Sequence, residues 1–104
     1  MVLRLQEVAR LNYEKAEFTK SLLSKIKGVT VKQSSPTFNE FTVVLPQEPS
    51  SVIARMIEKG FAAGFSLERY YKDMKNYMLV AVTEKRTKEE IVRYAESLEA
   101  VLWS

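Results

Sequence analysis

The ionisable and nucleophilic side chains of this sequence define the chemistry that it can do. Its 104 residues include no cysteine and no histidine. Disulfides, zinc sites built from cysteine or histidine, Ser-His-Asp and Cys-His catalysis and an imidazole base are therefore excluded. Any intrinsic chemistry must come from Lys, Asp, Glu, Tyr, Ser or Thr, and the absence of cysteine fits a cytoplasmic protein.

Among the lysines, Lys85 is the candidate for a Schiff-base nucleophile because Arg86 and Lys88 lie close to it. A lysine becomes nucleophilic when burial or a neighbouring cation lowers its pKa. Lys85 lies between Glu84 and Arg86 in a predicted turn, and Glu89 supplies a further acid. This arrangement favours a solvated charge.

Residues 83–87 are the segment with the strongest claim to a role beyond packing. They follow a predicted apolar strand and open the last predicted helix, where backbone N–H groups favour anions. The planar guanidinium of Arg86 can donate two hydrogen bonds to one carboxylate, and Glu90 is a possible partner within the helix. Thr87 is predicted to cap the helix, with Glu90 completing a capping box.

Five aromatic residues form a second candidate group. Such side chains form either a stacking platform for a ring ligand or anchors of a core or an interface, and the second use is the commoner one. The five residues are Phe61, Phe65, Tyr70, Tyr71 and Tyr77.

Hydrophobic periodicity predicts the elements that position these residues. The first predicted helix covers residues 3–27 and is ended by Gly28, and strands over 29–32 and 39–45 follow. A second helix begins at Ser50 or Ser51 and ends at Gly60, with Val52, Ile53, Met56 and Ile57 turned inward. A short edge strand within 61–71, a strand over 78–83 and a helix from Thr87 complete the chain.

The order of these elements predicts a single α+β domain over residues 1–104. The links between strands are too short for parallel crossovers, so a largely antiparallel sheet of three to four strands with helices on one face is expected. Residues 43–45 and 79–82 are apolar at successive positions, whereas a sheet covered on one face should alternate. The second face is therefore predicted to meet something outside this chain.

Charge and hydropathy exclude two classes of partner. The 16 basic and 13 acidic residues give a net charge of +3 and are interspersed, whereas nucleic-acid binders gather their cations on one surface. No apolar run approaches the length of a membrane span, and the N-terminus is polar where a signal peptide would be apolar. We therefore expect no nucleic-acid partner and no membrane partner.

Several segments together resemble a known family over nearly the whole chain. Four segments match it in order and spacing: Pro36-Thr37-Phe38-Asn39-Glu40-Phe41 with its continuation to Pro46, Glu58-Lys59-Gly60-Phe61, Gly64-Phe65-Ser66-Leu67 and residues 78–87. The family is the first subunit of the two-subunit P-protein, the glycine dehydrogenase (decarboxylating) of the glycine cleavage system. Lys72 departs from a usual proline, and Val92 departs from a frequent acid.

The resemblance implies a C-terminal small domain like that of fold-type I enzymes, which use pyridoxal phosphate (PLP). In that family the Schiff-base lysine lies in the other subunit, so no cofactor is expected in this chain and the isolated chain is expected to be inactive. The implied partners are the large domain of the same subunit, the PLP-bearing subunit 2 and, through the full enzyme, a lipoyl carrier protein that receives the aminomethyl group of glycine.

The resemblance also gives roles to four candidate interface or substrate-recognition residues: Asn39, Glu40, Glu84 and Arg86. In one interpretation, Asn39 or Glu40 contacts the large domain or the partner subunit. In the other, Asn39 caps a turn and Glu40 points into water. Arg86 pairs with Glu90, binds the partner subunit, or recognises the substrate carboxylate as an arginine of the small domain commonly does in fold-type I enzymes.

One alternative comes from a different class, a free-standing interaction or ligand-sensing module. The reading frame upstream of Met1 discriminates the two, because a fragment has a large domain encoded there. A fragment with a bare sheet face is also expected to self-associate through that face.

Overall fold

A computed structural model describes residues 2–32, 40–69, 71–82 and 85–103, which form three helices and one sheet. In chain order the elements are α1 (Val2–Leu23), β1 (Thr30–Lys32), β2 (Glu40–Val44), α2 (Pro49–Glu58), β3 (Phe65–Ser66), β4 (Tyr77–Ala81) and α3 (Lys88–Trp103). A 3₁₀ turn over Leu67–Arg69 follows β3. The predicted order, including the short edge strand, is confirmed.

The four strands form an antiparallel sheet in the order β1-β2-β4-β3. The central pair places Phe41 opposite Val80 and Val43 opposite Met78. Residues opposite each other in a ladder point to the same face, so these four side chains share one face of the sheet. The predicted α+β fold with a largely antiparallel sheet is confirmed.

The hydrophobic core lies between this face and the three helices. Alternation along β2 and β4 directs every second side chain inward, and each inward position of the central pair is at most 3% exposed. The helices contribute residues at helical spacing, which lets one stripe of each helix face the sheet. These buried helix residues include Leu23, Val52, Met56, Ile91, Leu98 and Val101.

The second face of the sheet is partly open. Val44 and Leu79 are half-buried, Ala81 is exposed, and Phe65 on the edge strand is 68% exposed. An apolar residue on an exposed face keeps its contact area in water, which is unfavourable unless another surface covers it. That this face meets something outside the chain stays a prediction.

Helices α1 and α3 run parallel, because the start of α3 lies beside Phe18 of α1 and the end of α3 lies beside the turn that follows α1. The Trp103 indole N–H donates to the carbonyl of Lys27 at 2.8 Å, and the ammonium of Lys88 lies 5.6 Å from the centroid of the Phe18 ring. α1 ends at Leu23 and gives way to turns rather than continuing to residue 27 as predicted. The predicted stop at Gly28 is therefore wrong, because the helix ends five residues earlier, although Gly28 does take the predicted positive φ, 83°, in the turn that follows.

Helix α2 differs from the prediction in two details. It begins at Pro49, so the predicted cap at Ser50 or Ser51 is wrong. Proline suits the first helical position because its missing N–H would have no partner there. Ile57 is 62% exposed instead of buried, because Val52 and Met56, one turn apart, already define the inward stripe of this short helix.

Candidate functional site

The start of α3 is held by two reciprocal hydrogen bonds. The N–H of Glu90 donates to Thr87 Oγ1 at 3.1 Å, and the N–H of Thr87 donates to Glu90 Oε1 at 2.9 Å. The backbone hydrogen bond from Thr87 is the main reason why the pKa of Glu90 is lowered, followed by the Thr87 side chain and, more weakly, by the charge of Arg86. The predicted capping box is confirmed.

Arg86 lies at the surface immediately before this cap. Its Nη1 lies 3.6 Å from Glu90 Oε2, and the Arg86 side chain is 65% exposed. Water screens such a pair, so it stabilises the helix only slightly. The carbonyl of Arg86 accepts a hydrogen bond from the Lys15 ammonium, which ties α1 to the start of α3. Of the three roles considered for Arg86, the pairing with Glu90 is thus present within this chain.

Glu40 reaches the same end of the sheet as Arg86. It is the exposed first residue of β2 and lies opposite Ala81, the last residue of β4. Ala81 and Arg86 in turn line one cavity. The other two candidates, Asn39 and Glu84, lie outside the described residues. The sheet register therefore places one predicted interface acid at the end of the sheet from which the chain leads to Arg86.

This cavity has a volume of about 310 Å³ and opens between α3, the end of β4 and residues 60–63. The Tyr94 hydroxyl donates to the Ala63 carbonyl at 3.0 Å, and the Tyr94 ring meets Phe61 edge-on with 5.9 Å between centroids. Burial raises the pKa of Tyr94 above its usual range, so its phenol stays protonated. The hydroxyl therefore holds residue 63 against α3 as a hydrogen-bond donor and does not act as a base. From the sequence, Tyr94 was predicted only as a member of the apolar stripe of the last helix, because its contact with Ala63 joins residues far apart in the chain.

The aromatic residues singled out from the sequence do not form one platform. Phe61 packs against the core beside Tyr94, whereas Phe65 and Tyr71 are 68% and 58% exposed. Tyr77 is half-buried on β4, and Tyr70 lies outside the described residues. Their dispersion over separate surfaces favours core and interface positions over a binding site for one ring ligand.

The described lysines lie mostly away from the cavities. A Schiff-base lysine must reach into a cavity that holds the cofactor. No described lysine lines the cavity beside Tyr94 or a second one of about 790 Å³ between α2, β3 and β4, whereas Lys59 lines a third of about 430 Å³. Lys20 is 13% exposed, but its ammonium is paired with Glu17 at 2.8 Å and lies over the Phe41 ring.

The described part of the chain contains no group of three or more His, Cys, Asp or Glu side chains that could hold a metal ion. None of its helices is long and apolar enough to cross a membrane.

Sequence comparison identifies relatives of this chain, although no protein-family model matches it. It is 51% identical over 98 residues to the "Probable glycine dehydrogenase (decarboxylating) subunit 1" of Geotalea uraniireducens. It is 44% identical over 94 residues to the protein of the same name from Geobacillus thermodenitrificans. The matches cover 94% and 90% of this chain but only 22% and 21% of the relatives, so the chain spans about a fifth of their length.

Comparison with solved structures agrees. The chain superimposes on a crystal structure of glycine decarboxylase (P-protein) of the glycine cleavage system with a TM-score of 0.86 and 35% identity, again over 94% of this chain and 22% of that one. A NifS-like protein matches with a TM-score of 0.80 at 16% identity, which shows a shared fold only. The predicted resemblance to subunit 1 of glycine dehydrogenase, with the fold of fold-type I PLP enzymes, is confirmed.

Proposed function

We propose that this chain is the C-terminal small domain of a subunit 1 of glycine decarboxylase, with a structural and interface role and no activity alone. The observation that carries the proposal is the 51% identity that extends over 94% of this chain but only 22% of the relative. In the assembled cytoplasmic enzyme, glycine is decarboxylated and its aminomethyl group passes to a lipoyl carrier protein. The domain completes the subunit and shapes its contacts.

The open face of the sheet supports this role. Val44 and Leu79 lie on that face, and the exposed Phe65 extends it to the edge strand. Covering apolar surface stabilises an association by about 25 cal/mol per Å² removed from water. We assign this face to the large domain of the same subunit, because Val44, Leu79 and Phe65 bring apolar side chains from three neighbouring strands to it, beside the polar Glu40 and Thr42 of β2.

The chemistry is assigned to the rest of the assembly. PLP, when bound to the enzyme, supplies an electron sink for the carbanion that decarboxylation leaves. We place its lysine on subunit 2, and the absence of a described lysine from the cavity beside Tyr94 and from the cavity between α2, β3 and β4 supports this placement. This domain contributes shape and charge to the cleft rather than a catalytic group.

Arg86 is the residue that we assign to the contact with subunit 2. Its side chain is 65% exposed, and water screens its ion pair with Glu90. A guanidinium in this position can exchange that pair for a carboxylate of a neighbouring subunit at little cost. Recognition of the glycine carboxylate is the second possible role, and the experiment below separates the two.

The assignment of Arg86 is tested in an assembled enzyme whose subunit 1 carries these 104 residues in place of its own matching segment. We expect Arg86→Ala to weaken the affinity between subunits while leaving the KM for glycine unchanged at saturating subunit 2. The exposed Lys72→Ala serves as a matched control that removes a charge elsewhere. A raised KM with intact assembly assigns Arg86 to the substrate, and no change in either quantity leaves it a solvated charge.

The domain assignment itself is tested by assembly of the same hybrid. When these 104 residues replace the matching segment of the Geotalea uraniireducens subunit, we expect a soluble hybrid that forms a stable complex with subunit 2. Sedimentation measures that complex, with the unaltered subunit as reference. A hybrid that folds but does not bind subunit 2 would contradict the interface role.

A further inference from the structure

Two arginines flank one glutamate at the edge of the cavity beside Tyr94. Arg86 immediately precedes the cap of α3, Glu90 lies in the first turn of that helix, and Arg93 follows one turn later. Residues three or four positions apart are neighbours on a helix surface, so the three side chains share one side of α3. All three line the cavity, and both arginines are exposed.

The charges at this cavity do not balance. Among its described lining residues Glu90 is the only acid, so the two arginines leave an excess of positive charge. Glu90 Oε2 lies 3.6 Å from Arg86 Nη1, while its Oε1 accepts the N–H of Thr87. The charges of Arg86 and Arg93 both help to lower the pKa of Glu90, as expected for one carboxylate near two guanidiniums. A guanidinium has more N–H donors than such a shared carboxylate can accept, so both arginines have donors to offer to a second acid.

Behind these charges the cavity has apolar walls. Phe61, Val80 and Ile91 line it, and the last two are buried. Its volume of about 310 Å³ admits a complete side chain, since one water molecule takes about 30 Å³. An acidic side chain combines methylene groups, which suit apolar walls, with a carboxylate, which suits guanidiniums. Val80 points to the opposite face of the sheet from Leu79, so this wall is separate from the face assigned to the large domain.

Hydrogen bonds fix both sides of the cavity. On one side, the carbonyl of Arg86 accepts a hydrogen bond from the Lys15 ammonium, and the capping box holds the next residue, Thr87. On the other side, the Tyr94 hydroxyl donates to the carbonyl of Ala63 at 3.0 Å. A site whose walls are fixed in advance loses less conformational entropy when it is filled, which favours binding.

We infer that Arg86 and Arg93 together bind one acidic side chain of subunit 2, which enters the cavity beside Tyr94. The inference rests on the proposed function, which assigns Arg86 to the contact with that subunit, and it adds a second arginine and the chemistry of the occupant. Glu90 is then the competitor of the incoming side chain, because its carboxylate lies beside the same guanidinium in the unbound domain. Assembly exchanges an exposed pair within the helix for an enclosed one between subunits.

The hybrid enzyme whose subunit 1 carries these 104 residues tests the inference. Arg93→Ala should weaken the affinity between the subunits about tenfold or more, because close charge pairs at interfaces contribute at least that much. Glu90→Gln should strengthen the affinity about two- to fivefold, because glutamine keeps the capping box and removes the competing charge. Glu99→Gln, at an exposed acid of the same helix, and the exposed Lys72→Ala are matched controls that should leave the affinity unchanged.

The double variant Arg86→Ala with Arg93→Ala separates one shared carboxylate from two independent contacts. We expect its loss of affinity to be smaller than the product of the two single losses, because removal of either guanidinium already releases most of the hold on the side chain. Independent contacts would give the full product, which would contradict a shared occupant. Isothermal titration calorimetry at constant ionic strength measures each affinity, and thermal melting of each variant subunit checks its fold.

The remaining outcomes separate this inference from the proposed function. If the unaltered hybrid binds subunit 2 but Arg93→Ala and Glu90→Gln leave that affinity unchanged, the inference is overturned and the proposed function stands. A raised KM for glycine at normal subunit affinity would assign the arginines to the substrate, and a lowered melting temperature of subunit 1 at normal affinity would assign them to its large domain. Either result overturns the inference. An unaltered hybrid that does not bind subunit 2 contradicts the interface role itself and the inference with it.

Discussion

Replacement of Thr87 by alanine removes the hydroxyl that caps α3. Thr87 Oγ1 accepts the N–H of Glu90 at 3.1 Å, and that donor has no partner within the helix at its first turn. Loss of such a cap costs about 0.5–2 kcal/mol, typically about 1 kcal/mol. For a domain of this size, about 1 kcal/mol corresponds to a melting temperature lower by about 4–8 °C, which is the change that we expect.

Thermal melting followed by circular dichroism measures this change, and Thr87→Ser is the control because it keeps the hydroxyl. The serine variant should melt within about 2 °C of the unaltered chain, since serine caps as well as threonine. If the alanine and serine variants melt at the same temperature, the hydroxyl does not hold the start of α3 and the reasoning about this segment is refuted.

Three further predictions concern the same chain. Folding lowers the pKa of Glu90 below its ordinary value of 4.5, so the ionised carboxylate stabilises the chain above pH 4.5 and this effect is lost as the pH falls through the folded pKa. The free energies of unfolding of the unaltered chain and of Glu90→Gln, measured against pH, should therefore converge in acid. Leu98→Ala, at a position 0% exposed, should lower the free energy of unfolding in urea by about 2–5 kcal/mol. Incubation with PLP followed by borohydride should label no single lysine stoichiometrically, and one such label would contradict the assignment of PLP to the partner.

The features that could be predicted from the sequence depend on short-range signals. The capping box joins residues three apart, and the apolar stripe of α3 repeats every three to four positions, so both were visible in the chain itself. The antiparallel sheet followed from link lengths. The family was identified from segments in a characteristic order rather than from any single residue.

The features that could not be predicted depend on contacts between distant parts of the chain. Tyr94 and Ala63 are 31 positions apart, and Lys15 and Arg86 are 71 apart, so neither hydrogen bond leaves a local pattern. The exposure of Ile57 likewise depends on how α2 lies against the edge of the sheet. Such geometry is set by packing, which one sequence read alone does not determine.

The central claim, that this chain is a working domain of a glycine-decarboxylating subunit, is tested most directly by activity of the hybrid enzyme. Subunit 1 of Geotalea uraniireducens with these 104 residues in place of its matching segment is combined with its own subunit 2 and with PLP. The exchange of labelled bicarbonate into the carboxyl group of glycine, with the lipoyl carrier protein present, is then measured. We predict a rate within about tenfold of the unaltered enzyme, because an interface domain at 51% identity preserves the cleft. A hybrid that assembles fully but shows no exchange above the background without subunit 1 would contradict the claim.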